Sequence, residues 1–346
     1  MLRLREKLGP ILWQFPAQLG FDPERFGRFL ELLPRSTGQA AELAQEGVAL
    51  DPQSWATHGV LGLNQLRLGR VADAQASLDR SFAGDPYNAW IKNTLDLLDT
   101  YPEYQTRTTP RFELLLHGDE ADLLYPYFAQ IAEEAYDSLA KRYGYRPATP
   151  VRLEVYPRHA DFSVRTVGLA GLGALGVAFG NVLAMDSPRA REPGELNWGS
   201  TLWHELAHSV TLGLSGNRVP RWLTEGISVR EERRARPGWG SEMMPQFLDA
   251  YYEEELPPVS RLNEGFIRPK SPGHLGLAYH MASMVVEWIE ETRGFDSVIR
   301  MLRAYGEGQS TEQVLRTGLR MEPEAIDRAF DAWLRAEYPE SLPEQL

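Results

Sequence analysis

Two histidines four residues apart constrain this chain of 346 residues more than any other feature of its sequence. They stand in the string His204-Glu205-Leu206-Ala207-His208. On an α-helix, residues i and i+4 lie about 40° apart around the axis and about 6 Å along it, so both imidazoles can reach one metal ion. Glu205 lies beside that face, where a carboxylate can take a proton from water at the metal. The string therefore predicts a helix with two metal ligands and a general base.

A second motif supplies a candidate for the third ligand. The string WLTEG (Trp222–Gly226) follows a short segment that ends in Pro220, and sixteen residues separate His208 from Glu225. That separation lets the first helix end and the chain reverse, so Glu225 can approach the same metal. Two histidines and a glutamate leave a fourth position for water, which is the arrangement of catalytic zinc. The alternatives are a solvated glutamate at a helix start and helix histidines that bond to carbonyls or water.

Composition and pattern exclude several other classes of site. The chain has no cysteine, which excludes disulfides, cysteine-ligated metals and thiol nucleophiles. The net charge of −12 argues against a nucleic-acid partner, because phosphate binding requires clustered Lys and Arg. No G-x-S-x-G string is present, so a serine nucleophile is disfavoured. The longest apolar tract, Leu169–Met185, contains four glycines and is too short for a membrane helix, so we predict no membrane span.

Hydrophobic periodicity predicts an α+β fold in the region after Tyr101. Strands are expected at Phe112–Leu116 and Val151–Tyr156, with an amphipathic helix at Ala121–Tyr143 between them. The glycine-rich run Gly173–Met185 predicts a hairpin that turns near Gly180-Asn181. Beyond residue 197 the pattern is mostly helical, with helices expected at about 199–214, 222–234, 243–254, 276–293, 295–305 and 323–337.

The N-terminal part of the chain carries a different pattern. Asp51-Pro52 and Asp85-Pro86 are 34 residues apart, which is the tetratricopeptide period. In that register Gly62 and Ala74 fall where paired helices approach closely, and Leu78 falls at an apolar position. An unrelated helical hairpin is the alternative. We predict an atypical segment at residues 1–38, tetratricopeptide repeats at 39–100 and a second domain at 101–346.

The motifs together resemble the gluzincin metallopeptidases, the clan that includes thermolysin-like and aminopeptidase-like enzymes. From about Ala40 onward the chain is similar to bacterial proteins that join tetratricopeptide repeats to a peptidase-MA-like domain. The segments that carry this similarity are Asp161–Thr166, Gly171–Val182, Asn197–His208 and Arg218–Val229. The resemblance implies a thermolysin-like gluzincin domain, a small β-sheet plus a helical zinc-binding subdomain, preceded by α-helical repeats.

The resemblance also assigns roles to individual residues. It implies one Zn²⁺ per chain, held by His204, His208 and Glu225, with Glu205 as general base. A tyrosine or histidine from a later helix donates a hydrogen bond to the developing oxyanion in gluzincins, and Tyr279 is the candidate here. His280 is the alternative, since neighbouring helix residues point about 100° apart and only one of the two faces the metal. A core tyrosine is the other reading of Tyr279.

Two positions depart from the patterns of known gluzincins. Aminopeptidases of the clan carry a Gly-Ala-Met-Glu-Asn motif on the strand that binds substrate, whereas this chain has GALGVAFGN (Gly173–Asn181) without the glutamate. Thermolysin-like enzymes place an aspartate one turn after the glutamate ligand, where this chain has Val229. Glu232 shares the helix face of Glu225 and is a substitute partner for a histidine, although a solvated surface role is more common for such a glutamate. Arg218 and Arg221 flank Pro220 and are candidates to bind a carboxylate or oxyanion, or to form structural ion pairs.

The sequence thus predicts a zinc metallopeptidase that hydrolyses peptide bonds in a peptide or protein substrate. The alternative is a tetratricopeptide-based binding module on a catalytically silent metallopeptidase scaffold. In either case the repeats are candidates to bind a protein partner. No signal peptide is visible, so the sequence as it stands predicts a cytoplasmic protein, and a periplasmic one if an upstream signal is missing.

Overall fold

The computed structural model describes residues 34–240 and 245–338. Nearly all of the predicted segment 1–38 lies outside this range. The chain divides into two compact units, the first formed by Met1–Asp99 with Ser163–Leu172 and the second by Thr100–Phe162 with Gly173–Leu346. Each unit is described separately below.

In its described residues up to Asp99, the first unit contains four successive helices, α1–α4. Ser54 and Asn88 accept hydrogen bonds from backbone N–H groups in the first turns of α2 and α4, which fixes where these helices begin. A β-carbon on Gly62 of α2 would lie 2.7 Å from Leu78 Cγ, so the α2–α3 crossing has no room for a larger residue. The helices are α1 (Thr37–Leu50), α2 (Trp55–Arg67), α3 (Val71–Gly84) and α4 (Ala89–Leu98).

The second unit combines a small mixed sheet with a helical region, so the α+β prediction is confirmed. The sheet has five strands in the order β1-β2-β3-β5-β4, in which β2, β3 and β5 are parallel and the outer pairs are antiparallel. The strands are β1 (Tyr104–Thr108), β2 (Phe112–His117), β3 (Val151–Tyr156), β4 (Gly176–Ala178) and β5 (Val182–Asp186). Between them run α5 (Gly118–Tyr143), which connects β2 to β3, and α6 (His159–Val167), whose residues from Ser163 onward are assigned to the first unit.

The expected glycine-rich hairpin is confirmed as the β4–β5 pair. Gly176 is opposite Met185, and Gly180, with φ +81°, allows the turn between the strands. The strand order places β4 at the edge of the sheet. The outer backbone groups of β4 form no hydrogen bonds with another strand of the described sheet. Alternate residues of β3 and β5, including Leu153 and Leu183, enter the main hydrophobic core.

The helical region follows the expected order, and periodicity fails to predict three short helices, two in this region and one between β3 and β4. The expected helices correspond to α7 (Trp198–Leu214), α8 (Arg221–Ala235), α9 (Pro245–Tyr252), α11 (Pro272–Arg293), α12 (Phe295–Gly306) and α14 (Pro323–Glu337). The additional helices are α6, α10 (Asn263–Ile267) and α13 (Thr311–Leu319). Periodicity does not predict strand β1 either, because its residues alternate little between apolar and polar and none of them is buried.

Two helices, α8 and α11, cross at very close range in this region. A β-carbon on Gly226 would lie 2.5 Å from the carbonyl oxygen of Ala282, so only glycine permits this approach. Ion pairs hold the same crossing together, with Arg230 Nη1 at 2.6 Å from Glu287 Oε1. The crossing places residues at the start of α8 beside residues in the first half of α11.

Candidate metal centre and active site

Helix α7 presents both histidines of the HELAH string on one face. Asn197 caps the start of the helix by accepting a hydrogen bond from Ser200 N, and apolar residues of the helix, such as Leu202 and Leu206, are fully buried. The helical spacing brings His204 Nε2 to 3.0 Å from His208 Nε2. The Nε2 atoms of the two rings therefore point at one position.

Helix α8 brings Glu225 to that same position. Glu225 Oε2 lies 3.2 Å from His204 Nε2 and 3.2 Å from His208 Nε2. A tetrahedral zinc with ligands at about 2.0–2.1 Å has ligand–ligand distances of about 3.3 Å, close to the separations observed here. The donor set also suits zinc chemically, because imidazole nitrogens and one carboxylate are ligands that it prefers. These three residues fit a metal ion.

The outer nitrogen of His204 is held by a carboxylate. His204 Nδ1 donates to Glu232 Oε1 at 2.6 Å, and the Ser200 hydroxyl donates to the other oxygen of Glu232. This hydrogen bond fixes the tautomer that leaves Nε2 available as a ligand. The more common solvated role is therefore wrong for Glu232, whose side chain is 13% exposed. Two helical turns separate it from Glu225, whereas Val229, one turn away, is buried and apolar.

The outer nitrogen of His208 is held by a hydroxyl. His208 Nδ1 lies 2.7 Å from Thr224 Oγ1, and Ser228 Oγ is 3.3 Å from the same nitrogen. Thr224 is in turn 2.7 Å from Thr211 Oγ1, in a fully buried pair. Each histidine thus has a fixed ring orientation, but only one of them is supported by a negative charge.

The electrostatics of the centre favour positive charge between its ligands. Burial lowers the pKa of His204, but hydrogen bonds to Glu225 and Glu232 outweigh burial and raise that pKa well above its ordinary value. Burial likewise acts to raise the pKa of Glu225, yet the two histidines hold it well below the ordinary value. A site with this charge arrangement stabilises a cation, whether a proton or a divalent metal ion.

Glu205 lies beside the three candidate ligands and against the edge strand. A β-carbon on Gly176 of β4 would be 2.7 Å from Glu205 Oε1, so the carboxylate packs directly on this strand. Burial raises the pKa of Glu205 above its ordinary value. His208 and His204 act to lower this pKa and the carboxylates of Glu225 and Glu232 act to raise it, so the net shift is upward. The carboxylate therefore lies between the candidate metal ligands and β4, a position suited to proton transfer at that site.

Tyr279 reaches the centre from α11, beside the start of α8. Arg221 Nη2 donates to the Tyr279 hydroxyl at 3.1 Å, and Arg221 Nε donates to Glu225 Oε1 at 3.2 Å. The Phe266 ring packs against Tyr279, with ring centroids 5.1 Å apart. Burial, reinforced by the charge of Glu225, raises the pKa of Tyr279, so its hydroxyl keeps its proton. The structure brings Tyr279 together with Glu225.

The alternative residue, His280, points into the core. Its side chain is fully buried, and its ring packs against Phe247 with centroids 4.8 Å apart. Burial, together with the charge of Arg233, lowers the pKa of His280 to about 4. Arg218 also lies outside the centre, because it is exposed and donates to the carbonyl of Gly306. Of the two arginines that flank Pro220, Arg221 is the one that contacts the site.

The sequence does not predict the hydroxyl groups around His208, which belong to Thr224, Thr211 and Ser228. Thr224 directly precedes the candidate ligand Glu225 in the WLTEG string, and this position is the one sequence signal that could have indicated its role. The partnership of Arg221 with Tyr279 joins residues 58 positions apart and left no signal in the sequence.

Comparison with known proteins gives one match. The model of the family described as the Peptidase MA superfamily matches residues 131–336, which is more than half of the chain. No curated protein and no solved structure matches the chain. Within the described residues, none of the helices combines the length and the apolar character needed to cross a membrane.

Proposed function

Because the chain belongs to the Peptidase MA superfamily, we propose that it is a zinc-dependent metallopeptidase of the gluzincin type that hydrolyses peptide bonds. The observation that carries this proposal is the convergence of His204, His208 and Glu225 on one point with Glu205 beside it. The two histidines and one glutamate support zinc rather than magnesium or calcium, which prefer sites made of oxygen ligands alone.

The proposed reaction uses Glu205 to move protons. Zinc, when bound, polarises the scissile carbonyl and lowers the pKa of a water at the open position. Glu205 then accepts the proton of the attacking water and passes it to the leaving amine. Its burial against β4 keeps it near both the water and a peptide bound along that strand.

Tyr279 is proposed to stabilise the charge that develops on the substrate carbonyl oxygen. Its raised pKa supports this role, because a neutral phenol donates a hydrogen bond and a phenolate does not. A donor aimed at transition-state charge contributes about 10²–10³ in rate in comparable enzymes. Tyr279→Phe is therefore expected to reduce kcat by about that factor.

The edge of β4 is proposed to bind the substrate backbone. An extended peptide can add to an exposed strand by main-chain hydrogen bonds, and β4 is an edge strand directly beside Glu205. The strand lacks the glutamate with which aminopeptidases of the clan hold a free amino terminus. We therefore favour cleavage within a peptide over removal of its first residue.

The N-terminal helices are proposed to be tetratricopeptide repeats, at residues 39–100, that bind a protein partner. The close packing of Gly62 against Leu78, at positions where the repeat register places small and apolar residues, supports this reading. Whether such a partner is a substrate or a regulator is decided by capture experiments with the full chain.

The direct test combines metal content with peptide cleavage. Wild type is expected to contain about one zinc per chain and to cleave members of a peptide library, whereas His204→Ala contains little zinc. Glu205→Gln is expected to retain zinc and lose nearly all turnover, because the amide cannot accept a proton. Elemental analysis and mass spectrometry of the products make the two measurements. Full turnover by Glu205→Gln contradicts the mechanism, and a zinc-free wild type contradicts the function.

A further inference from the structure

Arg221 connects the two parts of the site that the proposed reaction requires. It is the first residue of α8 and stands one helical turn before Glu225. Its Nε donates to Glu225 Oε1 at 3.2 Å, while its Nη2 donates to the Tyr279 hydroxyl at 3.1 Å. One guanidinium therefore contacts both a metal-ligand candidate and the candidate oxyanion donor.

The contact with Glu225 separates the functions of the two carboxylate oxygens. Oε2 lies 3.2 Å from each histidine Nε2, in the position of a metal ligand. Oε1 accepts from Arg221 instead, which holds it away from the point where the histidines converge. With Oε1 engaged in this way, Glu225 offers the metal one oxygen.

The contact with Tyr279 determines the direction of its hydroxyl hydrogen. A phenol has one donor hydrogen, and its oxygen accepts from other groups. Because Arg221 donates to this oxygen, the hydrogen of Tyr279 must point elsewhere, towards the side of Glu225 and the metal ligands. The edge contact with the Phe266 ring limits rotation of Tyr279 about its side-chain bonds.

We propose that Arg221 is a positioning residue that holds Glu225 and the Tyr279 hydroxyl in one fixed frame. This inference rests on the proposed peptidase function and adds to it a residue that is neither a metal ligand nor the oxyanion donor of the proposed mechanism. The planar fork of a guanidinium is required, because it presents two donors at fixed spacing. A lysine at the same position has one ammonium on a flexible stem and cannot hold both partners in this way.

The kinetic test is a double-mutant cycle between Arg221 and Tyr279 in the zinc-loaded full chain. Arg221→Met is expected to reduce kcat by about 10- to 100-fold, with KM changed by less than about threefold and zinc content unchanged. In the Tyr279→Phe background the same substitution is expected to have less than about a threefold effect. Arg221→Lys should not restore wild-type kcat. Arg218→Met, which removes the same charge three residues earlier, should retain wild-type kcat.

A spectroscopic test is independent of turnover. Wild type and the variants are loaded with Co²⁺, whose visible absorption reports the number of ligands. Arg221→Met is expected to have weaker, shifted bands, because release of Oε1 lets Glu225 bind through both oxygens and raises the coordination number. Tyr279→Phe and Arg218→Met are expected to match wild type.

Each result has a separate consequence. Equal effects of Arg221→Met on wild type and on Tyr279→Phe, full activity of Arg221→Lys, or an unchanged cobalt spectrum of Arg221→Met would overturn the role of Arg221. If wild type binds zinc but cleaves no peptide, the proposed function fails, and the cobalt spectra still decide whether Arg221 sets the orientation of Glu225.

Discussion

The two candidate metal-binding histidines differ in the group that holds their outer nitrogen. Glu232 supports His204 with a full negative charge, whereas Thr224 supports His208 with a neutral hydroxyl. A carboxylate raises the basicity of an imidazole ligand as well as orienting it, and a hydroxyl mainly orients it. His204 is therefore expected to be the stronger donor of the pair.

The contribution of this charge can be measured by replacing Glu232 with glutamine. The amide oxygen can still accept from His204 Nδ1, so the ring keeps its orientation while the negative charge is lost. We expect Glu232→Gln to weaken zinc binding by about 10-fold and Glu232→Leu by up to about 100-fold. Competition with a zinc chelator measures the affinity. Glu264→Gln, at an exposed position, provides the charge-matched control, and equal affinity of all variants would contradict this role for Glu232.

His280 leads to a prediction about pH. Its pKa is about 4 in the folded chain and about 6.5 when unfolded, so the unfolded state binds more protons between these values. Stability contributed by neutral His280 is thus present above about pH 6.5 and decreases as the pH falls towards 4. We expect the free energy of unfolding to fall by about 2 kcal/mol more in wild type than in His280→Leu between pH 7.5 and pH 5. Urea unfolding at both pH values makes the comparison, and parallel losses would show that His280 does not carry the effect.

For individual residues, the spacing along the chain decides which contacts the sequence can predict. The grouping of His204, His208 and Glu225 follows from helical periodicity and a short reversal of the chain, so it could be inferred from residue positions. The partnership of Arg221 with Tyr279 depends on how α8 crosses α11, which no local pattern encodes. Glu232 falls between these cases. Its position on the helix face of Glu225 follows from residue spacing, whereas its burial does not.

The short strand β4 connects the sheet to α7, the helix that carries the candidate general base. It lies at the sheet edge and packs against α7 through Gly176, which leaves no space for a side chain between the strand and Glu205. The position of Glu205 therefore depends on a glycine in another element. A small displacement of a catalytic group can reduce a rate by about 10²-fold.

Alanine substitution at two nearby glycines separates this effect from a general effect on the loop. The β-carbon of Gly176→Ala would lie 2.7 Å from Glu205 Oε1 and 2.9 Å from Thr201 Cγ2, so the carboxylate must move. We expect kcat to fall by at least about 10-fold with zinc content unchanged. Gly173→Ala is the matched control, because its β-carbon meets nothing within 4 Å. Comparable activity of the two variants would show that Gly176 does not set the position of Glu205.

The prediction of elements succeeded where periodicity was strong. The long helices and the β4–β5 hairpin follow from apolar spacing and from glycines at the turn. Helices α10 and α13, with five and nine residues, are too short for a periodic pattern to be recognised reliably. The edge position of β4 also required the structure, because strand order depends on contacts between segments distant in the chain.

In the second unit as a whole, the candidate centre lies within a tightly packed helical region. The α8–α11 crossing at Gly226 and Ala282 fixes these helices at close range. Arg142 adds a link from α5, with its Nε at 2.8 Å from Glu231 Oε1 and its Nη2 at 2.7 Å from Glu290 Oε1. Glu231 and Glu290 are buried on α8 and α11, so three helices share this ion-pair group.

Metal binding is therefore expected to stabilise the folded chain. Zinc held by residues of α7 and α8 binds the folded state and adds about 2.7 kcal/mol at a free concentration of 100 times Kd. For a domain of this size the increase in Tm is expected to be about 5–10 °C. Thermal unfolding with zinc and with a chelator measures the difference, and His204→Ala provides the control that should not respond. An equal Tm in both conditions for wild type would indicate that zinc does not bind this site.

The candidate ligands and their outer partners all come from α7 and α8, within residues 200–232. Contacts of such short sequence separation need little loop closure and can form early in folding. During synthesis the chain emerges with its N-terminal part first, so the complete ligand set leaves the ribosome well before Tyr279. Under the proposed function, metal binding and completion of the catalytic set are thus separable steps, and a nascent chain can bind its metal before it contains the proposed oxyanion donor.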